Sequence, residues 1–187
     1  MQSESQLREG SELAQRKKTI ELVTALKSPP QKRSSQQANR IAQFLSTIPG
    51  VNKLTPGLLN RFVHQCFGTE YFDGQIIYRA SETATYFFII VTGHVVLTDV
   101  KENKNDEGDD NVISRLNPRD WFGHEEILSS SRRAFTASAV KGETFCIRVP
   151  LEEYSRAPLQ WILKGETFCI RVPLEEYFNV IIMHITH

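Results

Sequence analysis

The chain has 187 residues, enough for one sizeable core with flanking segments and too few for two full domains. Its 22 Lys and Arg residues balance its 22 Asp and Glu residues, so the charge favours neither nucleic acid nor an anionic membrane as a partner. The three cysteines, Cys66, Cys146 and Cys169, have neither metal-ligand spacing nor the pattern of a disulfide framework.

The first residues lack the basic-then-apolar pattern of a secretory signal. The longest apolar stretch, residues 178–185, is interrupted and far shorter than the roughly 18 apolar residues of a membrane span. We therefore expect a cytoplasmic protein with reduced thiols and no membrane span.

The first 37 residues are predicted to be a polar helix followed by a linker, partly disordered. Leu13, Ile20 and Val23 recur at helical spacing, and Pro29-Pro30 stops that helix. Residues 28–37 are polar and contain Pro and Ser, which is typical of a flexible linker.

Two amphipathic helices are predicted next. Apolar residues from Ala38 to Ile48 lie on one helical face that ends at Pro49-Gly50. A second helix is predicted to begin with Thr55 as its N-cap and Pro56 in its first position.

From Phe72 the hydrophobic period changes to two, with turn signals every eight to twelve residues. Segments 75–78, 86–91, 95–100 and 112–116 are predicted strands, and the charged residues 101–111 are predicted to form a solvated hairpin loop. The pattern predicts a mainly β fold with flanking helices: an eight-stranded, jelly-roll-like β-roll with N- and C-terminal helices.

A possible phosphate site follows these strands, between Asn117 and Ala139. Gly123 allows backbone conformations closed to other residues, and residues 125–128 can form one helical turn whose free N–H groups would face an anion. Arg132 and Arg133 can bind phosphate oxygens bidentately. The pattern is compatible with a phosphate cradle or with a solvated turn.

These residues resemble the phosphate-binding cassette of cyclic nucleotide-binding domains. That cassette runs Phe-Gly-Glu, a short helix, then Arg-Ala-Ala-Thr, and here Phe122-Gly123 precedes Arg133-Ala134-Phe135-Thr136. The resemblance covers roughly residues 38–154 and implies a module that binds cAMP or cGMP, with no other cofactor and no metal. The implied ligand-binding residues are Phe122, Gly123, His124, Glu125, Glu126, Ile127, Arg132, Arg133, Ala134 and Thr136.

The chain departs from the family pattern at the ribose contact. The family's Glu, which binds the ribose 2′-hydroxyl, follows Phe-Gly directly, whereas here that place is His124 and Glu125 comes one position later. The resemblance implies that Arg133 contacts the cyclic phosphate and that Glu125, or alternatively His124, meets the ribose. Ala134 stands where cGMP-preferring members often carry Thr or Ser, which favours cAMP.

The sequence suggests three alternative functions. The first is a cyclic nucleotide sensor that acts on an unidentified effector protein, and the second is a degenerate member of the fold that serves as a protein-interaction module. The third is an enzyme in which His94, His124 and Glu125 bind a metal, but the usual His-x-His pair is absent. We therefore expect a non-enzymatic regulatory protein.

Two further features accompany the resemblance. Lys32-Arg33-Ser34-Ser35 resembles the substrate pattern of basophilic kinases, although a solvated basic linker is the simpler interpretation. Residues 141–154 recur unchanged as residues 164–177. Only one copy can complete the roll, so we predict a binding domain over residues 38–154 and a duplicated strand and helix segment with a C-terminal tail over residues 155–187.

Overall fold

The computed structural model describes residues 4–99, 111–129 and 131–150. The four α-helices in these residues are α1 (Glu4–Lys27), α2 (Ser35–Leu45), α3 (Pro56–Gln65) and α4 (Glu125–Leu128), and two short 3-10 helices span Pro30–Lys32 and Val51–Lys53. The strands are β1 (Phe67–Tyr71), β2 (Ile76–Tyr78), β3 (Tyr86–Thr98), β4 (Val112–Leu116), β5 (Trp121–Phe122) and β6 (Thr136–Pro150). The predicted class, mainly antiparallel β with flanking helices, is confirmed.

The described residues form six strands rather than the predicted eight. They make one antiparallel sheet in the order β1-β6-β3-β4, in which β2 also pairs with β6 and β5 with β3. The Thr92-Gly93 turn expected between two strands is instead a register shift within the single strand β3. Because Gly93 has φ +81° it absorbs this shift without ending the strand, so two predicted strands merge.

The strand β1 was not predicted, because its alternation is interrupted by Gly68 and by polar residues. It pairs with β6 from Phe67 opposite Arg148 to Tyr71 opposite Thr144. A Cβ on Gly68 would lie 2.8 Å from the Cβ of Leu26 in α1. The glycine that weakens the strand pattern therefore allows α1 to pack closely against the sheet.

The two faces of the sheet line two separate hydrophobic clusters, since successive side chains of a strand point to opposite faces. Phe87 and Ile89 of β3 lie in a helix-side cluster together with residues of α1, α2 and α3. Phe88 and Ile90 lie in a sheet-side cluster with Tyr78 and other strand residues. This second cluster forms the floor of the candidate site described below.

The helix starts follow local capping rules. Thr55 accepts a hydrogen bond from the N–H of Leu58, and Pro56 occupies the first position of α3, as predicted. The preceding helix begins three residues earlier than the apolar pattern indicated, at Ser35. Ser34 and Gln37 form a reciprocal capping box there, which stabilises the start of α2.

Residues 28–37, predicted to be a flexible linker, include the start of α2 and contact the end of α3 through Arg33. Arg33 donates hydrogen bonds to the carbonyl oxygens of Ser28 (3.1 Å), Val63 and Cys66 (2.8 Å). Since Val63 and Cys66 are at the C-terminal end of α3, the guanidinium satisfies carbonyls that the helix itself leaves free. The basic motif around Arg33 thus has a structural role in this fold.

Several predicted features lie outside the described residues: most of the charged loop 101–111, the second copy of the repeat, Cys169 and the C-terminal helix over 178–185. Of the first copy, residues 141–150 form the end of β6. Cys66 and Cys146 are both free and buried. Among the described residues, no helix has the length and apolar character needed to cross a membrane.

Candidate functional site

The candidate site is built by one continuous segment that leaves β5, forms α4 and returns to β6. Phe122 pairs with Phe88 of β3 and stacks on its ring, with 5.1 Å between ring centroids. Ile127 of α4 is buried in the helix-side cluster. These two apolar side chains, on either side of Gly123, anchor the segment to both faces of the sheet.

Gly123 brings the beginning and the end of the segment into contact. It has φ +72°, and a Cβ at this position would lie 2.5 Å from Nη1 of Arg133 and 3.3 Å from the Tyr78 ring. Its carbonyl oxygen accepts a hydrogen bond of 2.6 Å from Nη1 of Arg133. Glycine is therefore needed both for the backbone conformation and for the close approach of the guanidinium.

Arg133 is the buried cation of the site, with only 4% of its surface exposed. Besides Gly123, it donates through Nη2 to the carbonyl oxygen of Tyr86. Its guanidinium carbon lies 4.1 Å from the centroid of the Tyr78 ring, a cation–π contact. The backbone of Arg133 is held by the turn at Ser81 and Glu82: its carbonyl accepts from the N–H of Ser81 and its N–H donates to the carbonyl of Glu82.

Glu126 is the anion that faces this cation. Its Oε2 lies 3.5 Å from Nη1 of Arg133, and its Oε1 accepts a hydrogen bond of 3.2 Å from the backbone N–H of Ala134. The side chains of Arg133 and Glu126 are 3% and 12% exposed. Of the predicted site residues, Gly123, Glu126, Arg133 and Ala134 therefore come together around one charge pair.

Arg132 and Thr136 have other contacts. Arg132 is exposed and donates through Nη1 to the carbonyl oxygen of Ser81. Thr136 accepts from the N–H of Ala80 at 3.1 Å. Both side chains fasten the turn at residues 80–82 to the returning strand, so the two adjacent arginines differ: Arg133 points into the site and Arg132 holds its edge.

Ser81 lies in the turn that holds the backbone of Arg133. It adopts φ +68°, a left-handed conformation that costs a non-glycine residue energy. Its N–H nevertheless donates to the carbonyl of Arg133 at 2.8 Å. This hydrogen bond ties the turn to the residue that carries the buried guanidinium.

Tyr78 and Tyr86 belong to the site but were not among the predicted residues. Burial raises the pKa of the Tyr78 phenol, with Arg133 opposing and Glu126 adding to that rise. Tyr86 contributes only its carbonyl oxygen. The Tyr86 contact could not be predicted from the sequence, because any residue has a carbonyl oxygen. Tyr78 could have been proposed, because it is an aromatic residue at the end of a short predicted strand.

His124 turns away from the charge pair. Its ring stacks on Trp121, with centroids 4.7 Å apart and an interplanar angle of 13°. Trp121 in turn meets the ring of Phe87 in the helix-side cluster. Burial lowers the pKa of His124, a shift that Glu125 and Glu126 partly oppose, and the buried Nδ1 has no hydrogen-bond partner.

This environment predicts a stability loss in mild acid. Because the pKa of His124 in the folded state lies below the ordinary value of 6.5, the unfolded state binds its proton first as pH falls. Stability is then unaffected by this group above pH 6.5 and decreases as pH falls from there towards the folded pKa. In urea titrations between pH 8 and pH 5, His124→Phe should remove part of this decrease while retaining the stack on Trp121, whereas the exposed His64→Phe should not.

The metal interpretation lacks the required geometry. The Nδ1 of His94 lies 3.2 Å from Oδ1 of Asn117, while His124 stacks on Trp121. In the part of the chain that the structure describes, no three His, Cys, Asp or Glu residues form a group that could hold a metal ion. Glu125 is exposed at the start of α4.

The site lies on a β-sheet with flanking helices, in a segment that runs from Gly123 through α4 to the buried guanidinium of Arg133. This combination defines the class of module to which the site belongs. Residues 69–157 match the family model of the cyclic nucleotide-binding domain. This part of the chain belongs to that family.

Similar proteins agree with this assignment. The chain is 33% identical over 84 residues to a cAMP-dependent protein kinase regulatory subunit of Dictyostelium discoideum, a match covering 45% of this chain. The match spans only 25% of that relative's length.

Solved structures share the fold. The regulatory domain of Toxoplasma gondii protein kinase A with cAMP superposes with a TM-score of 0.59 at 16% identity, covering 70% of this chain and 50% of that one. The regulatory subunit of a cAMP-independent protein kinase A from Trypanosoma cruzi, bound to guanosine, has a TM-score of 0.57 at 17% identity, covering 72% and 47%. Proteins of this fold therefore include one solved with a cyclic nucleotide and one solved with a nucleoside.

Proposed function

We propose that the chain is a regulatory domain that binds a cyclic nucleotide, cAMP in preference to cGMP, and passes that signal to an effector protein. The observation that carries the proposal is the buried guanidinium of Arg133, which faces a single carboxylate next to the backbone N–H of Ala134. A guanidinium with an adjacent backbone donor is suited to a phosphate group. The similarity to a cAMP-dependent protein kinase regulatory subunit supports a cyclic nucleotide as the ligand.

In this proposal Arg133 and the Ala134 N–H bind the cyclic phosphate. Glu125 is the candidate for the ribose hydroxyl, because it is exposed beside the site while His124 is stacked on Trp121. Ala134 offers no side-chain hydroxyl to a guanine, which is the basis of the cAMP preference. Binding would favour one arrangement of α4 and the flanking helices over another, and thereby shift the population that the effector meets.

A second candidate is an interaction module that has lost the ligand. It is favoured by the contacts of Arg133, because its guanidinium already has partners within the chain: Gly123, Tyr86 and Glu126. In this case the site is a structural ion pair, and the domain acts through its surface.

Calorimetric titration of the full chain with cAMP and cGMP separates the two candidates. The sensor is expected to bind cAMP in about the micromolar range, about three- to tenfold tighter than cGMP, since a single neutral hydrogen bond differs between them. Arg133→Lys keeps the positive charge but loses the bidentate fork. It should weaken cAMP binding about tenfold to a hundredfold.

Arg115→Ala is the matched control, because Arg115 is an exposed residue of β4 on a different part of the sheet. It should bind cAMP like the wild type. A folded wild-type chain that stays silent at about millimolar cAMP and cGMP would eliminate the sensor and leave the interaction module.

A further inference from the structure

Glu126 makes the contacts that the proposed function assigns to the ligand's phosphate. One carboxylate oxygen faces Nη1 of Arg133 at 3.5 Å and the other accepts from the N–H of Ala134 at 3.2 Å. A carboxylate and a phosphate oxygen pair prefer the same donors, a guanidinium and a backbone N–H. The subsite is thus filled by the chain's own anion.

The other groups around Arg133 already occupy most of the positions at which an incoming anion could bind its guanidinium. Nη1 also donates to Gly123, Nη2 donates to Tyr86, and one face of the guanidinium covers the Tyr78 ring. The Arg133 side chain is 3% exposed and that of Glu126 is 12% exposed, so an anion that arrives from solvent has to replace a contact that the guanidinium already makes. Two anions on one buried guanidinium would also repel each other.

The backbone of Glu126 is held in place while its side chain makes these contacts. Its carbonyl oxygen accepts a hydrogen bond of 2.8 Å from the N–H of Ser131, and the next residue, Ile127, is buried at 2% exposure. The carboxylate is therefore presented to Arg133 from an anchored turn rather than from a free loop.

We infer that Glu126 is a built-in competitor of the ligand's phosphate, so that a phosphate-bearing ligand binds Arg133 only after displacing the Glu126 carboxylate. The inference deepens the proposed function and rests on it for the identity of the ligand. If the displaced state makes up about a tenth of the population, the apparent Kd is about tenfold weaker than the intrinsic one. Glu126 thereby sets both the affinity of the domain and its discrimination between phosphate-bearing and uncharged ligands.

The test compares the full-length wild type with Glu126→Gln, which keeps the shape and removes the charge, and with Glu126→Ala, which empties the subsite. Glu143→Gln is the charge-matched control, since Glu143 is an exposed residue of β6 that lines a groove beside α1. Each protein is titrated calorimetrically with cAMP, inorganic phosphate and guanosine. Both Glu126 variants should bind cAMP and phosphate about tenfold or more tightly than wild type and Glu143→Gln, with guanosine binding unchanged.

Removing Glu126 leaves Arg133 without its anion, so thermal unfolding provides a second readout. Addition of phosphate should raise the Tm of Glu126→Ala more than that of wild type, because a ligand that binds only the folded state stabilises it. In the double variant with Glu126→Ala and Arg133→Lys, phosphate should raise the Tm less than it does in Glu126→Ala alone.

The outcomes separate the two proposals. If wild type and both Glu126 variants bind cAMP equally, the sensor stands and the competitor is eliminated. If Glu126→Ala gains phosphate binding through Arg133 while no variant binds cAMP, the competitor stands and the cyclic nucleotide is the wrong ligand. If no variant gains phosphate affinity or phosphate-dependent stability, Glu126 is not a competitor.

Discussion

Replacing Arg133 by alanine should lower the free energy of unfolding by about 3–5 kcal/mol, the range for breaking a buried ion pair from one side. The substitution leaves the mostly buried Glu126 carboxylate without its cation and removes the donors to the carbonyl oxygens of Gly123 and Tyr86. It also opens a cavity above the Tyr78 ring. Urea denaturation followed by circular dichroism measures the loss.

A double-mutant cycle tells whether the ion pair or the carbonyl contacts dominate. Glu126→Gln alone should cost less than Arg133→Ala, and the two together should show a coupling of about 1–3 kcal/mol. Arg132→Ala, which removes one exposed hydrogen bond to Ser81, is the neighbouring control and should cost about 1 kcal/mol or less. Equal losses from Arg132→Ala and Arg133→Ala would contradict the central role of the buried guanidinium.

Replacing Gly93 by alanine should lower the free energy of unfolding by about 2–4 kcal/mol, the sum of backbone strain and overpacking. Gly93 has φ +81°, and its Cβ would lie 2.6 Å from the carbonyl oxygen of Glu143 and closer still to the Thr144 hydroxyl. That hydroxyl bridges β3 and β6, since it donates to the carbonyl of His94 and accepts from the His94 N–H. Thermal and urea unfolding both measure the effect.

Gly142→Ala separates the two causes. Gly142 also has a positive φ, +103°, but nothing lies within 4 Å of the position that its Cβ would take. This substitution should cost about 1 kcal/mol, the backbone term alone. A loss from Gly93→Ala no larger than that from Gly142→Ala would mean that the sheet tolerates the added methyl, and the close contact of β3 with Thr144 would then be unimportant for stability.

Local rules account for the elements that the sequence predicted correctly. The N-cap of α3 depends on Thr55 and Pro56, which act within one helical turn, and the one-turn helix α4 follows Gly123 as predicted. The spacing in the chain singled out Gly123 and Arg133, and the structure joins them by a hydrogen bond. The predicted number of strands was wrong because a glycine such as Gly93 can either end a strand or bend it. Pairing with the partner strand β6 decides between the two.

The same distinction holds for the candidate site. From sequence, Arg132 and Arg133 were both candidates, and His124 and Glu125 were alternatives for one role. Packing separates them: Arg133 is buried on Tyr78, Arg132 is exposed on Ser81, and His124 stacks on Trp121. The neighbours that separate the two arginines, Tyr78 and Ser81, come from β2 and from the turn at residues 80–82, far away in the chain, whereas Trp121 precedes His124 by only three residues.

The order of the residues was enough to predict the family, the mainly β class with flanking helices and the segment that carries the site, because these depend on periodicity, on caps and on a motif of fixed spacing. Folding was needed to show that Arg33 closes the end of α3, that β3 continues through Gly93, and that the Glu126 carboxylate faces Arg133. Each of these depends on a charge or a backbone group meeting a partner brought close by folding. Hydrogen bonds and ion pairs of this kind act over a few ångströms in space, whatever the separation along the chain.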